Sequence, residues 1–291
     1  MSAQITTAMV RQYKDTVMFL ASQETSRLRG IFSEETISGE ETYFDQIGTI
    51  EMKDVTSRGA DTEYTDTPHA RRRIVPVTSD IADLVDDADR VRVNIAPEGA
   101  YTRRHAEAWG RRIDDHIIDA AFANASTGKD GTGTETWSSA GNIIAVGYGS
   151  SNGLTLAKVA EAQRILDEGE VPREGRVAVI GAAQVRNLMG IATATSADYV
   201  ALRPLMDGEI TQWLGFTFIQ SQRLSKSGNN RSCIFAHRDG IKLGVAQDMF
   251  ARVEELPTKR YSTQVFLRGV AGATRMEASR VVEVLADETV A

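Results

Sequence analysis

The chain of 291 residues is 42% hydrophobic and 25% charged, which excludes a disordered protein and suffices for one sizeable core or two modest ones. Its formal net charge of −7 argues against a general nucleic-acid-binding protein, because affinity for phosphates comes from concentrated Lys and Arg. No apolar run reaches the roughly 18 residues of a membrane span, and the stretch from Met1 to Gln4 lacks the pattern of a secretion signal.

The first predicted element is an amphipathic helix near the N-terminus. Its apolar seam, with spacings of three and four residues, consists of Val10, Tyr13, Val17 and Leu20. A short helix of this kind is marginal alone, so it needs a partner surface, either in its own domain or on another chain. The pattern ends at Gly30.

A long hairpin is predicted from about residue 43 to residue 78. Apolar residues indicate one strand at 50–55 and a return strand at 74–77, separated by the polar, turn-rich stretch 58–69. Two strands alone cannot bury a core, so we expect an outside surface, supplied by another subunit, to cover them.

Basic and acidic clusters flank the return strand. The basic run is Arg71, Arg72 and Arg73, which is typical of a solvated face and could otherwise meet carboxylates of a neighbouring chain. The acidic stretch is Asp80, Asp83, Asp86, Asp87 and Asp89. A calcium loop is excluded, because Ala88 stands where the turn needs Gly and Asn94 where the bidentate Glu belongs. We expect these carboxylates to solvate a helix start or to face basic residues across an interface.

A long helix is predicted from residue 97 to about residue 124. Its apolar stripe is Tyr101, His105, Trp109, Ile113, Ile117 and Ala120. Pro97 suits the first turn, and Glu98 complements the positive end of the helix dipole. Glu107 and Arg111 are predicted on the solvent side. At 1.5 Å per residue the helix would span roughly 40 Å, which is typical of a structural spine.

A mixed helix and strand region follows, and we expect a compact second domain from about residue 151 to residue 255. The predicted elements are a helix at 156–168 ended by Gly169, a strand at 176–181, a short helix through Met189 and a strand at 215–219. The remaining tail is rich in predicted strands.

One pattern suggests an enzyme. Gly149 to Gly153 matches a nucleophile elbow, with Ser151 as nucleophile and His237 as the single downstream histidine. Its acid would be Asp198 or Asp207. An elbow normally follows several buried strands, whereas this one follows a hairpin and a long helix, so a linker is the favoured interpretation.

The sequence patterns for phosphate binding, zinc binding and cysteine chemistry are weaker than the serine pattern. The loops around Lys129 and Gly131 lack the residues of a phosphate-binding motif. His105 and His116 are separated by about 16 Å of helix rise and cannot share one zinc ion. The lone Cys233 excludes an intrachain disulfide, which agrees with a reducing cytoplasm, and on one strand it would lie about 13 Å from His237. The sequence therefore predicts no catalytic residues, metal ligands or cofactor.

As an ordered set, five segments resemble the major capsid proteins of tailed bacteriophages, which have the Hong Kong-97 fold. The segments are Tyr13–Gly30, Asp86–Arg92, Arg112–Ile118, the loop Asn124–Gly133 and Gly272–Met276. The resemblance implies an α+β subunit with five parts. These are an N-terminal arm (1–36), an extended hairpin loop (37–80), a peripheral domain with the spine helix (81–150), an axial domain (151–255) and strands returning to the peripheral domain (256–291).

The resemblance implies self-assembly into hexamers and pentamers of an icosahedral shell around double-stranded DNA, without sequence-specific contacts. The expected interface residues are Val10, Tyr13, Val17, Leu20, Arg58, Arg71, Arg72 and Arg73. An encapsulin-like compartment that encloses proteins is the alternative, and a serine hydrolase using Ser151 is a remote one.

Partners also follow from the resemblance. We expect a portal protein, a separate scaffolding protein because the chain begins almost directly with the arm helix, and a decorating protein as an optional addition. Relatives that crosslink join a hairpin Lys to an Asn of a neighbour. The acceptor Asn would belong to the strand-rich tail, on the peripheral domain of the neighbour. The hairpin here contains Lys53, but no Asn follows Asn230, so we expect no crosslink.

Overall fold

A computed structural model describes residues 22–54, 57–59, 61–62, 64–85, 98–137, 141–189 and 211–289. The described residues form two compact units. The first is drawn from residues 1–25, 78–111 and 247–269, and the second from residues 26–77, 112–246 and 270–291.

Strands predominate in both halves of the chain. The elements of the first half are β1 (Ser33–Thr36), β2 (Thr42–Ile47), β3 (His69–Ile74), β4 (Val77–Val85), α1 (Glu98–Phe122), β5 (Ala125–Thr127), β6 (Gly133–Glu135) and β7 (Ile143–Ile144). Those of the second half are α2 (Leu156–Glu168), β8 (Arg176–Ile180), α3 (Ala182–Met189), β9 (Thr211–Trp213), β10 (Phe216–Gln220), β11 (Lys226–Ser227), β12 (Asn230–His237), β13 (Ile241–Leu256), β14 (Ser262–Arg275) and β15 (Val281–Asp287).

The main core lies on a seven-stranded sheet in the second unit. Its strand order is β7-β15-β12-β8-β10-β9, with β11 also paired to β12. Five consecutive buried residues make β8 a central strand, as its apolar run predicts. Phe216 and Phe235 pack edge to face with ring centroids 5.2 Å apart, and each buried side chain of this size contributes about 2 kcal/mol relative to exposure.

The helix α2 begins and ends where the sequence predicts. The Thr155 hydroxyl caps its N-terminus by accepting from the Lys158 backbone N–H at 3.3 Å. Val159, Ala162 and Leu166 lie on one face and are buried in the core of the sheet. The predicted strands β8 and β10 and the short helix α3 are likewise confirmed, as is a strand-rich tail.

The spine helix α1 is confirmed, with 25 residues. Along its predicted stripe, the residues from His105 to Ala120 are buried, whereas Tyr101 is largely exposed. Glu107 corrects the prediction, because its side chain is only 4% exposed and does not face solvent. Arg104 and Ser22 surround its carboxylate, at 2.7 and 3.1 Å. Burial raises the pKa of Glu107, but these hydrogen bonds hold it below its ordinary value.

The hairpin is shorter than predicted. β2 pairs antiparallel with β3, in a register that runs from Thr42 opposite Ile74 to Ile47 opposite His69. The predicted outgoing strand at 50–55 is wrong for residues 50–54, which are irregular and exposed. Alternating apolar residues form a strand only where a partner strand exists to pair with them. The hairpin therefore carries a connection, residues 48–68, whose described residues form no strand or helix.

The acidic stretch also differs from its prediction. Asp80 and Asp83 lie within strand β4 and not at a helix start. Asp83 pairs with the buried His105, with 2.7 Å between Oδ2 and Nε2. The three other aspartates of this stretch lie outside the described residues.

Two four-stranded sheets complete the architecture. Their strand orders are β1-β13-β14-β4 and β2-β3-β5-β6. β1, which the sequence did not predict, pairs in parallel with β13, from Ser33 opposite Lys242 to Thr36 opposite Val245. In the tail, β15 pairs antiparallel with β12 and so joins the seven-stranded sheet.

Candidate assembly surface

The connection between β2 and β3 exposes unusual apolar area. Ile47, Ile50, Met52 and Tyr64 are exposed, and Met52 has no shielding at all. Gly48 donates its backbone N–H to the Pro68 carbonyl at 2.8 Å, so the two ends of the connection meet at its base. Large apolar side chains clustered on one loop mark a surface that another molecule covers.

The predicted interface residue Arg58 lies on this connection. It occupies a turn with Gly59, whose φ of +81° favours glycine, and it is exposed. The arm residues Val10, Tyr13, Val17 and Leu20 lie outside the described residues. Of these five predicted interface residues, the structure therefore describes only Arg58.

The arginines of β3 divide between two faces of the strand. Arg71 donates to Asp45 at 2.6 Å, and Arg73 donates to Glu41 at 2.8 Å, both on the more exposed side. The hydrogen bond from Arg71 holds the pKa of Asp45 below its ordinary value. These two guanidinium groups thus meet carboxylates of their own chain.

Arg72 points the other way and is only 6% exposed. Its guanidinium pairs with the Glu135 carboxylate and donates from Nε to the Met276 carbonyl at 2.8 Å. A solvated face is therefore the wrong interpretation for Arg72, because strand alternation turns this middle arginine inward. The signal that could have found it is its position two residues before the apolar Ile74, which is buried on the same face of the strand.

An open cavity of about 600 Å³ lies beside the hairpin. Its lining includes Ile47 and His69 from the hairpin ends and Lys129 from the β5–β6 turn. Arg71 also borders it and donates from Nη1 to the Lys129 carbonyl at 3.2 Å. The base of the hairpin thus combines basic groups with exposed apolar surface.

Within the predicted arm (1–36), residues 22 and 23 are held on α1 in the first unit. Arg104 donates to the Ser22 hydroxyl at 2.6 Å, and Arg111 donates to the Gln23 carbonyl at 2.9 Å. Together with Glu107, these groups hold residues 22 and 23 against the helix. The polar side of α1 is therefore a binding surface for its own chain.

A second exposed surface in the first unit was missed by the sequence prediction. Residues 247–255 of β13 are exposed without interruption. They include Met249, Phe250 and Val253, and the turn that follows carries the exposed Tyr261. Tyr261 has a φ of +60°, in the left-handed region that β-branched and bulky residues rarely adopt. A strand exposed along this length with large apolar side chains is suited to contact another chain.

The serine candidate lacks the geometry of a nucleophile elbow. Ser151 is extended, with φ −142° and ψ 140°, and the positive φ belongs to Gly149. His237 lies at the end of β12, where its Nδ1 accepts from the Asp239 backbone N–H at 3.2 Å. Asp198 and Asp207 lie outside the described residues. The Gly-Ser segment is instead part of a loop bound by Lys158, which donates to the Asn152 and Gly153 carbonyls.

Other reactive side chains are placed unfavourably for chemistry. Cys233 is fully buried, which raises the pKa of its thiol to about 12 and keeps it protonated. Desolvation lowers the pKa of His116. Within the described ranges, no group of three or more His, Cys, Asp or Glu side chains could hold a metal ion. In the same part of the chain, no helix is both long and apolar enough to cross a membrane.

Comparisons with known proteins agree with this arrangement. A family model described as phage capsid protein matches residues 5–288. A solved structure from Mycobacterium phage Che8 is 20% identical with a TM-score of 0.72, over 97% of this chain and 98% of that chain. No curated protein matches.

Two further solved structures show the same likeness. The capsid asymmetric unit of cyanophage Pam1 is 12% identical with a TM-score of 0.76, covering 98% of each chain. The capsid of Ralstonia phage GP4 is 10% identical with a TM-score of 0.72, over 96% of this chain and 95% of that chain. These matches confirm the predicted α+β fold of the Hong Kong-97 type.

Proposed function

This chain belongs to the phage capsid protein family, and from that premise we propose that it is the major capsid protein of a tailed phage. Its role is structural, and its place is the capsid of the virion. In the proposal, copies of the chain form hexamers and pentamers that close into an icosahedral shell around double-stranded DNA.

The exposure of the described residues in the connection 48–68 is the observation that carries the proposal. Its apolar side chains, including Ile50, Met52 and Tyr64, contribute nothing to the core of their own subunit. Exposed apolar surface of this kind lowers the solubility of a protein unless another chain covers it. In a closed shell every subunit presents this hairpin to a neighbour, so one modest contact is repeated and the particle becomes durable.

Three further features support assembly. The strand surface at 247–255 offers a second contact region. The arm seam, Val10 to Leu20, offers a third on the sequence prediction alone. The negative net charge suits a wall that encloses DNA without gripping its phosphates. We assign the arm and the hairpin to the ranges predicted above. We assign the seven-stranded sheet to the axial part, and with it β7 and β15, which lie outside the predicted range 151–255.

Of the eight proposed interface residues, six keep that role. They are Val10, Tyr13, Val17, Leu20, Arg58 and, for its exposed position, Arg71. Arg71 and Arg73 both form ion pairs within their own chain, with Asp45 and Glu41. The Arg73 side chain is the less exposed, at 26% against 37%, so its contact with a neighbour would have to compete with the bond to Glu41. Arg72 is too buried to touch another chain directly.

Other phage proteins complete the proposed assembly. A scaffolding protein directs closure in the cytoplasm of the bacterial host, a portal protein occupies one vertex, and a decorating protein binds the finished surface in phages that have one. An enzymatic role is not favoured, because the family is structural and Ser151 lacks the strained backbone of an elbow.

Electron microscopy of the purified protein, alone and after co-expression with the scaffolding protein of its phage, tests the proposal. We expect closed shells with hexameric and pentameric capsomers. DNA in particles from infected cells would separate a virus shell from a compartment filled with protein. Exclusively monomeric protein under every condition would contradict the assignment.

A further inference from the structure

We propose that Arg275 and Met276 form a joint that sets the angle at which the assembly hairpin leaves the subunit, with Arg72 as the positioning residue on the hairpin side. The proposal rests on the assembly function above and names the residues that orient its main contact. All of the groups involved lie in the second unit.

The Met276 carbonyl holds both strands of the hairpin. It accepts from Gln46 Nε2 of β2 at 2.9 Å and from Arg72 Nε of β3 at 2.8 Å. One oxygen atom therefore fixes the two strands to the same point on the chain. Arg72 adds its ion pair with Glu135 of β6, so the hairpin cannot swing without breaking charge-assisted hydrogen bonds inside the protein.

Arg275 faces the end of the spine helix. Its side chain is 1% exposed, and Nη1 donates to the Ala121 and Ala123 carbonyls at 3.1 and 2.7 Å. The last carbonyls of a helix have no partner within the helix and carry its negative dipole end. α1 has no basic residue in its own last turn, so Arg275 supplies from β14 the cation that the helix lacks.

The surroundings make this junction rigid. Trp137 places its ring 4.9 Å from the Arg275 guanidinium carbon and donates its indole N–H to Glu283 at 2.6 Å. A Cβ atom at Gly272 would lie 2.6 Å from the Val75 carbonyl, so only glycine lets β14 approach the chain after β3 so closely. Gly272 and Arg275 both belong to the tail segment Gly272–Met276, so this segment holds the junction together.

Arg275 and Met276 are adjacent in the chain, and this adjacency couples the end of α1 to the hairpin. Consecutive Cα atoms are held about 3.8 Å apart, so the point that grips the helix end and the point that grips the hairpin move together. A displacement of the end of α1 is therefore passed to the hairpin angle through one peptide unit. Shell geometry depends on that angle, because each hairpin must meet its neighbour at the same orientation.

The test compares Arg72→Lys and Arg275→Lys with Arg231→Lys. Lysine keeps the charge but loses the planar fork that reaches several acceptors at once. Arg231 is the matched control, since it is equally buried, pairs with Glu288 and donates to the Gln222 and Leu224 carbonyls. It has no contact with the hairpin among the hydrogen bonds and ion pairs described.

Hydrogen exchange on unassembled subunits and electron microscopy of assembled ones are the readouts. For Arg72→Lys and Arg275→Lys we expect exchange in β2 and β3 to rise about tenfold, and closed shells to fall about tenfold in favour of open or irregular particles. Arg231→Lys should change neither readout beyond about twofold when its stability loss is similar. Equal defects in all three variants, or normal hairpins and shells in the first two, would overturn the joint.

Gln46→Ala covers the case in which the lysine variants do not fold. It removes one of the two donors to Met276 from a half-buried position, and we expect faster hairpin exchange and irregular shells from a folded subunit. Unchanged exchange and normal shells would overturn the proposal. Absence of shells from the unaltered protein would count against the assembly function instead, because the exchange measurement tests the joint without assembly.

Discussion

Lys158 is a buried cation whose hydrogen bonds hold the loop before α2 in place. Its ammonium group donates to the carbonyls of Val146, Asn152, Gly153 and Leu285 at 2.6, 3.1, 2.7 and 3.1 Å. One side chain thereby ties the segment before α2 to the strand β15. Burial lowers its pKa to about 8, because the charged form loses hydration that carbonyl groups replace only in part.

Replacing Lys158 by Met should destabilise the subunit by about 3 kcal/mol, because buried carbonyls lose their donor. Chemical denaturation followed by circular dichroism at pH 7 measures this loss. Lys226→Met is the control, since its ion pair with Glu288 is partly exposed and should cost less than about 1 kcal/mol. Equal costs for the two variants would contradict the inferred role.

The same residue predicts a pH dependence. Because the folded-state pKa of Lys158 lies at about 8, below the unfolded value near 10.5, the unfolded chain binds this proton more strongly between those values. Stability relative to Lys158→Met should therefore rise from pH 7 to pH 9.5, by up to about 2 kcal/mol. A difference that stays flat or falls over this range would show that the ammonium is not penalised in the fold.

Helix α1 and strand β14 approach each other closely in the first unit. A Cβ atom at Gly269 would lie 2.5 Å from the ring of Trp109, whose indole N–H donates to Asp248 at 2.9 Å. Glycine at this position is what allows the aromatic ring to pack against the strand. The contact fixes which face of the spine helix is turned to the sheet.

Gly269→Ala should cost about 1–3 kcal/mol, because the methyl group forces the Trp109 ring from its place. Thermal unfolding and near-ultraviolet circular dichroism of the tryptophan check this. Gly147→Ala is the matched control, since nothing lies within 4 Å of its added carbon and its φ is not positive. A larger loss in the control than in Gly269→Ala would refute the packing argument.

The hairpin connection is dispensable for the subunit but not for the shell. Replacing Gly48 to Pro68 by a two-residue turn should leave a folded subunit, because none of the exposed side chains of this segment belongs to the core. Closed shells should be lost, since the apolar contact surface is removed. Normal particles from the shortened chain, seen by electron microscopy, would contradict the proposed assembly role.

For the assembled particle, we expect cohesion without covalent bonds. The one lysine of the hairpin region is Lys53. The family resemblance places the acceptor Asn in the tail, and the chain after Asn230 contains no Asn that could lose ammonia to form an isopeptide bond. The shell then depends on packing and charge pairs repeated over many copies. Its durability should therefore come from the number of contacts and not from any single one.

Boiling shells in detergent should release a single band of 31.8 kDa. Electrophoresis with and without reductant measures this, and the reductant arm excludes disulfides through Cys233. A ladder of multiples that survives both treatments would show that another pair of residues forms a crosslink.

Local patterns in the sequence were sufficient to predict α1, α2 and the strands β8 and β10. Helix periodicity, caps and continuous apolar runs depend on only a few neighbouring residues. The ordered motifs were also sufficient for the family, which the match to residues 5–288 confirms. Tertiary structure alone decided where the hairpin strands end, that Arg72 and Glu107 are buried, and that β1 pairs with β13. Each of these depends at least in part on a partner far away in the chain, such as Met276 for Arg72 and Ser22 for Glu107, and neighbouring residues do not identify that partner.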